Sequence, residues 1–378
     1  MKKIICIIII LLLTFSLTNS FAENNQTQQI DIKSKSAILI DFETGKIIYE
    51  KNAHERLPLA SITKVMTLLL ICEAIENGKI KLDDTVTTSE HASSMGGSQV
   101  YLKEGEQMKV EELLKCVAVA SANDAAVALA EHIAGSEQSF VYMMNKKAKE
   151  LGMNDTNFVN ACGLDADNHY SSAYDIAIMS RELLKHQWIQ KYLTIWMDTI
   201  RNGSFGLTNT NRLVRHYKGT TGVKTGSTGK ALFCVSASAK RNGLHLICVI
   251  MGANDSKTRF SEATKLLDYG FAYYTLYYPY TKNTKIGTVK VKNGLEDYVD
   301  AVIKNDVKLL LNRGEESRIT KEIKIEKEVN SPVKKDQLLG KVEFYIDGKL
   351  IAKTDVIASK EIKRKTLFDI YKLLISLK

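Results

Sequence analysis

Apolar segments of strand character lie at Ser36–Glu50 and again at Gly222–Met251, and the chain between them reads as helix. The first segment turns at Glu43-Thr44-Gly45 and the second at Arg241-Asn242-Gly243, so each is read as a hairpin. Between them, helical stretches are expected at Ser61–Glu76, Val110–Ala134, Glu137–Leu151 and Ala173–His186, with another following at Ser256–Tyr274. Strands at both ends with helices between leave few economical packings. The expected fold class is α+β: one antiparallel sheet, closed by the two ends of the segment and flanked by helices.

Beyond about residue 282 the texture changes to short alternating segments, at 286–291, 307–311, 319–325 and 342–352, with turn signals such as Asp347-Gly348. A small all-β domain is expected over 283–362, after a first domain over 23–282. The lysine-rich outer positions of the second domain are read as a solvated face. The final stretch, 363–378, places Leu367, Ile370, Tyr371, Leu374 and Leu377 on one helical stripe, while residues 360–378 carry six bases and two acids. A basic amphipathic helix too short to span a bilayer is expected to lie in its interface, the alternative being a helix docked on the β domain.

The other end sets the compartment. Lys2 and Lys3 precede ten apolar residues, Ile4–Leu13, and Ser20-Phe21-Ala22 forms a small-x-small cleavage site, so residues 1–22 read as a secretory signal and the protein as exported. Removing them lowers the formal charge from +9 to +7. That modest excess, without the clustered bases and interleaved aromatics of a nucleic-acid binder, argues for no nucleic-acid partner and suits work beside anionic wall polymers and lipid headgroups. With 45% hydrophobic residues, 25% charged residues and three prolines in 378, the chain is neither disordered nor fibrous. The five cysteines beyond the signal, at 72, 116, 162, 234 and 248, are odd in number and show no C-x-x-C pair. Buried reduced thiols are expected. The histidines show no H-E-x-x-H or similar spacing, so neither a catalytic metal nor a cofactor is implied.

Three S-x-x-K tetrads occur, at Ser61, Ser227 and Ser331. Serine and lysine three apart at a helix start lie nearly one above the other, so the lysine amine can reach the hydroxyl. Only Ser61-Ile62-Thr63-Lys64 opens a helix, and the apolar run Val65–Leu70 behind it would desolvate Lys64 and lower its pKa toward general-base use. Ser121-Ala122-Asn123 is the one S-x-N triplet and Lys224-Thr225-Gly226 the one K-T-G. In this order, S-x-x-K, S-x-N and K-T-G match the active-site set of penicillin-binding proteins and class A β-lactamases.

The chain thereby resembles the serine-type D-alanyl-D-alanine carboxypeptidases, low-molecular-mass penicillin-binding proteins of the penicillin-binding protein 5 group. Further similar stretches are Asn160–Asp165, His169–Asp175, Asn209–Leu213 and Arg259–Phe271. The resemblance spans nearly the whole chain, from signal to terminal helix. It implies that Ser61 attacks the carbonyl of the penultimate D-alanine in peptidoglycan stem peptides, with neutral Lys64 as base. Ser121 and Asn123 would pass a proton to the leaving amine and position the peptide. Lys224 and Thr225 would bind the terminal carboxylate, with Arg259 adding positive field. Gly226 would let substrate approach the strand, and the N–H groups of Ser61 and Ser227 would form the oxyanion hole. β-Lactam antibiotics would acylate the same serine. Two departures are visible: Ala122 stands where the family usually has glycine, and Ser227 where a larger ring is common. Other readings of the same motifs are a DD-endopeptidase acting on crosslinks, a β-lactamase, and a catalytically silent wall-binding or penicillin-sensing protein. No E-x-x-L-N segment lies between Asn123 and Lys224 to serve a β-lactamase.

Overall fold

The computed structural model describes residues 30–369 and 371. The expected signal, 1–22, and most of the expected terminal helix lie outside the described residues.

Five antiparallel strands form the first sheet: β1 (Ser36–Asp41), β2 (Ile47–Lys51), β3 (Thr220–Thr228), β4 (Leu232–Arg241) and β5 (Leu244–Ala253), in the order β2-β1-β5-β4-β3. The strand nearest the start of the fold pairs with the last one of the sheet, Ile38 opposite Val249. β1 and β5 are buried along their whole length, which is why both read as continuous apolar runs and not as alternating ones. Their side chains still alternate between two faces. Ile38, Ile40, Ile247 and Val249 enter the main core, while Leu39 and Leu246 meet the helix α5 (Ser256–Tyr273) at Gly270.

The main core is built around the helix α1 (Lys64–Glu76), in which ten of thirteen residues are buried. A helix apolar on all sides belongs inside a fold. It is surrounded by α2 (Asn123–Ala134), α3 (Glu137–Glu150) and α4 (Ala173–Lys185). Serine side chains start the latter two: Ser136 accepts from the Ser139 N–H and Ser172 from the Asp175 N–H.

Two readings of the sequence are corrected here. The expected helix Val110–Ala134 is broken: it runs as an α-helix to Lys115, widens over Cys116–Ala120, and stops at Ser121, whose φ is +63°. A new helix starts at Asn123. The arm of the expected Gly222–Met251 hairpin that precedes its Arg241-Asn242-Gly243 turn is not one strand but two, β3 and β4, joined at 229–231. All five cysteines beyond the expected signal are buried and unpaired.

A second, smaller core follows, enclosed by β6 (Tyr274–Tyr280), β7 (Lys285–Lys292), β8 (Tyr298–Ile303), β9 (Val307–Asn312), β10 (Ile319–Ile325), β11 (Glu328–Asn330), β12 (Leu338–Ile346) and β13 (Lys349–Ala358). Six of these form one sheet in the order β10-β12-β13-β8-β7-β11, and β6 pairs with β9. β6 precedes residue 283, yet its Tyr277 and Tyr280 pack on this second core. The segments 298–303 and 328–330 are strands that the alternation did not mark. Lys308 of β9 forms an ion pair with Glu43 in the β1–β2 turn at 2.7 Å.

Candidate active site

The S-x-x-K tetrad begins as a 3₁₀ turn, Ala60–Thr63, that passes directly into α1 at Lys64. Ala60 takes a left-handed conformation, φ +48°, and the Thr63 hydroxyl donates to its carbonyl at 2.8 Å. Gly163 lies against this turn. A β-carbon there would stand 2.0 Å from the Ala60 oxygen, and its own φ of +89° also favours glycine.

Lys64 is fully buried, and its Nζ meets three oxygens: Ser61 Oγ at 3.0 Å, Asn123 Oδ1 at 2.5 Å and the Cys162 carbonyl at 2.7 Å. Burial lowers its pKa to about 8, while the Asp124 carboxylate and the Cys162 thiol oppose the shift. The Asn123 amide is oriented from its other end, since Nδ2 donates to the Gly96 carbonyl at 2.6 Å and the Asn123 N–H to Ser98 O at 2.7 Å. The chain reversal at Ser121 is what sets Asn123 at the start of α2, aimed at Lys64. Ser121 is itself buried in that reversal, two residues from Asn123.

β3 supplies the opposite wall. Lys224 and Thr225 are buried on it, and both reach Thr210: the Thr225 hydroxyl donates to Thr210 Oγ1 at 2.7 Å, and Lys224 Nζ lies 3.5 Å from the same oxygen. Burial, with the positive charges of Lys64 and Arg259 nearby, holds the Lys224 pKa well below that of a free lysine. Arg259, on the first turns of α5, donates through Nη1 to the carbonyls of Gly226 at 3.0 Å and Cys234 at 3.2 Å. Its pKa is lowered to about 10 by burial. Gly226 is where β3 touches the Ser61 turn: a β-carbon there would sit 2.8 Å from the Ser61 nitrogen and 2.9 Å from Leu59 O. Ser227 follows it, exposed.

The structure therefore joins Ser61, Lys64 and Asn123 by hydrogen bonds and sets Lys224, Thr225, Gly226 and Arg259 on the facing strand and the helix behind it. Neither of the other two S-x-x-K tetrads opens a helix: Ser227 lies on β3 beside Gly226, and Ser331 follows β11. Sequence reasoning had no role for three contributors. The Cys162 carbonyl, Thr210, and His169, which meets Thr63, all lie in stretches noted only for their similarity to the family.

Residues 23–255 match the family model described as D-alanyl-D-alanine carboxypeptidase. The chain belongs to that family. Residues 274–364 also match the C-terminal domain of penicillin-binding protein 5. Among curated relatives, D-alanyl-D-alanine carboxypeptidase DacF of Bacillus subtilis is 45% identical over 96% of this chain and 95% of its own. Among solved structures, penicillin-binding protein 5 from Haemophilus influenzae aligns with a TM-score of 0.81 at 32% identity, covering 88% of this chain and 98% of that one. Penicillin-binding protein D2 from Listeria monocytogenes, solved in its ampicillin-bound form, aligns with a TM-score of 0.59 at 30% identity over 64% of this chain and 98% of its own. The α+β fold with its C-terminal all-β part is thus the fold of these carboxypeptidases, and the serine-type carboxypeptidase reading of the motifs agrees with the family.

Proposed function

We propose that this serine-type D-alanyl-D-alanine carboxypeptidase removes the last D-alanine of peptidoglycan stem pentapeptides through an ester on Ser61. The observation that carries the residue assignment is the surroundings of the Lys64 amine. A neutral amine has two N–H donors and one lone pair. Two of its three partners, the Asn123 and Cys162 oxygens, only accept. The third, the Ser61 hydroxyl, also donates, so in the neutral form both N–H bonds go to the two carbonyls and the lone pair faces the Ser61 proton.

The steps follow from that arrangement. Lys64 takes the proton, and Ser61 Oγ bonds to the carbonyl carbon of the penultimate D-alanine. The negative oxygen that forms is held by the Ser61 and Ser227 N–H groups, where each such donor lowers a barrier by about 3 kcal/mol. The C–N bond then breaks, and the departing amine takes the proton from Lys64, passed on by the Ser121 hydroxyl, while the Asn123 amide holds the Lys64 amine and the peptide in position. Water attacks the ester and returns the proton to Ser61. Lys224, Arg259 and Lys64 bring three basic groups into a buried site, and an anionic peptide terminus against Lys224 and Thr225 would relieve their mutual repulsion. A β-lactam ring would be opened by the same attack and remain on Ser61.

The leader at 1–22 supports export to the outer face of the cell membrane. The basic amphipathic pattern of residues 363–378 supports a helix resting on a membrane surface. The central test is mass spectrometry of the protein with a pentapeptide ending in D-alanyl-D-alanine and, separately, with penicillin. Loss of one alanine and an adduct on the Ser61 peptide are expected, both absent in Ser61→Ala with its fold intact. An adduct persisting in Ser61→Ala would overturn the assignment.

A further inference from the structure

His169 is buried, 5% exposed, and both of its ring nitrogens are engaged. The Val159 N–H donates to Nδ1 at 2.9 Å, so Nδ1 carries a lone pair. The Thr63 hydroxyl lies 2.8 Å from Nε2 and spends its own proton on the Ala60 carbonyl, so it accepts from the Nε2–H. The imidazole is therefore neutral with one fixed tautomer, and burial supports this by lowering its pKa to about 4.

The two segments it joins are the two that meet at Lys64. Thr63 belongs to the turn that carries Ser61 and holds the left-handed Ala60 in place. Val159 leads into the loop 159–163, whose Cys162 carbonyl accepts from Lys64 Nζ and whose Gly163 lies against Ala60. Within that loop Asn160 Oδ1 receives the N–H groups of Cys162 and Gly163, at 3.2 and 2.6 Å, so a shift at Val159 is carried to the Cys162 carbonyl. We propose that His169 is a positioning residue that ties the Ser61 turn to the Cys162 loop, holding the hydroxyl and the carbonyl on opposite sides of the Lys64 amine. The inference rests on the reading of Ser61 and Lys64 given above. His169 touches neither of them and acts through Thr63 and Val159.

The test measures acylation of the full chain by a fluorescent penicillin, with melting curves to establish folding and steady-state kinetics on a pentapeptide. His169→Ala and Thr63→Val each remove the tie. Both are expected to slow acylation by about 100-fold while KM stays within about 3-fold, the scale set by a misplacement on the order of 1 Å. His169→Gln, which offers one acceptor and one donor, and Thr63→Ser, which keeps the hydroxyl, are expected to stay within about 5-fold of the parent. Thr63→Val preserves volume and reports even where His169→Ala does not fold. A parent chain acylated at Ser61, with Thr63→Val reacting at the parent rate or His169→Gln as slow as His169→Ala, would overturn this inference alone. A parent chain acylated at another residue would overturn the functional reading and this inference with it.

Discussion

Because Lys64 loses its proton near pH 8, where a free lysine holds it to 10.5, acylation should follow a rising pH profile with its midpoint near that lower value. The difference corresponds to roughly 3 kcal/mol against the ammonium, at about 1.4 kcal/mol for each pH unit. At pH 7 about one molecule in ten would then carry the neutral amine, against about one in 3,000 for an unperturbed lysine, a gain of roughly 300-fold in competent enzyme. Because the folded chain releases the proton first, the competent form is lost as pH falls through about 8 and fully present above it. The assay is the second-order rate of acylation by a fluorescent penicillin between pH 5.5 and 9.5, at constant ionic strength. The expected profile climbs about tenfold per pH unit below the midpoint and is flat above it, as for a single essential base. Lys64→Arg, which stays charged throughout, should react about 10²–10⁴-fold more slowly than the parent above the midpoint and lose the rising profile. A profile flat across the range, or one still climbing toward pH 10, would refute the argument that burial prepares the base.

Two further outcomes test the packing around the site. Gly226→Ala places a β-carbon within 3.0 Å of Ser61 N, Leu59 O and Ala60 Cβ, so it should cost about 1–3 kcal/mol in a urea titration and slow acylation about tenfold or more. Gly229→Ala, with nothing within 4 Å, serves as the control in the same assays. At acid pH the buried His169 and His245, both held to about 4 by burial, refuse protons that the unfolded chain accepts below about 6.5. Stability should therefore fall as pH drops through that window, by up to about 3 kcal/mol for each histidine at pH 4. Urea midpoints at pH 7 and 4.5 should converge in His245→Gln relative to the parent, and an unchanged difference would remove His245 from the account.

The residues proposed to bond the substrate were legible because their chemistry demands particular types at particular spacings. Ser61 and Lys64 are three apart on one helix, and Asn123 and Lys224 carry recognisable neighbours. What the sequence concealed is supplied by backbone or by distant contacts. Cys162 serves Lys64 through its carbonyl, which any residue type possesses, across 98 positions. His169 reaches Thr63 across 106 positions, and a lone histidine ahead of a helix has no local signature. The broken helix at Ser121 was hidden for a different reason. Its flanks, 111–115 and 125–131, are rich in good helix formers, and the left-handed residue that interrupts them is held by the Ala122 N–H bonding to the Cys116 carbonyl and by Asn123 bonding to Gly96 and Ser98. In the sheet, the turn at 229–231 is flanked by strands of similar composition, so apolar content alone did not separate them.

The helix α5 ends at Tyr273 and β6 starts at Tyr274, with no residue left over between them. A strut has replaced a tether. Arg259, near the head of that helix, is therefore connected to the eight strands after it without a hinge in between, and the Lys308–Glu43 pair braces the far side. A join of this kind leaves the two cores no loop residue about which to swing. Lengthening the join by a few flexible residues would loosen that coupling without altering a single reacting atom.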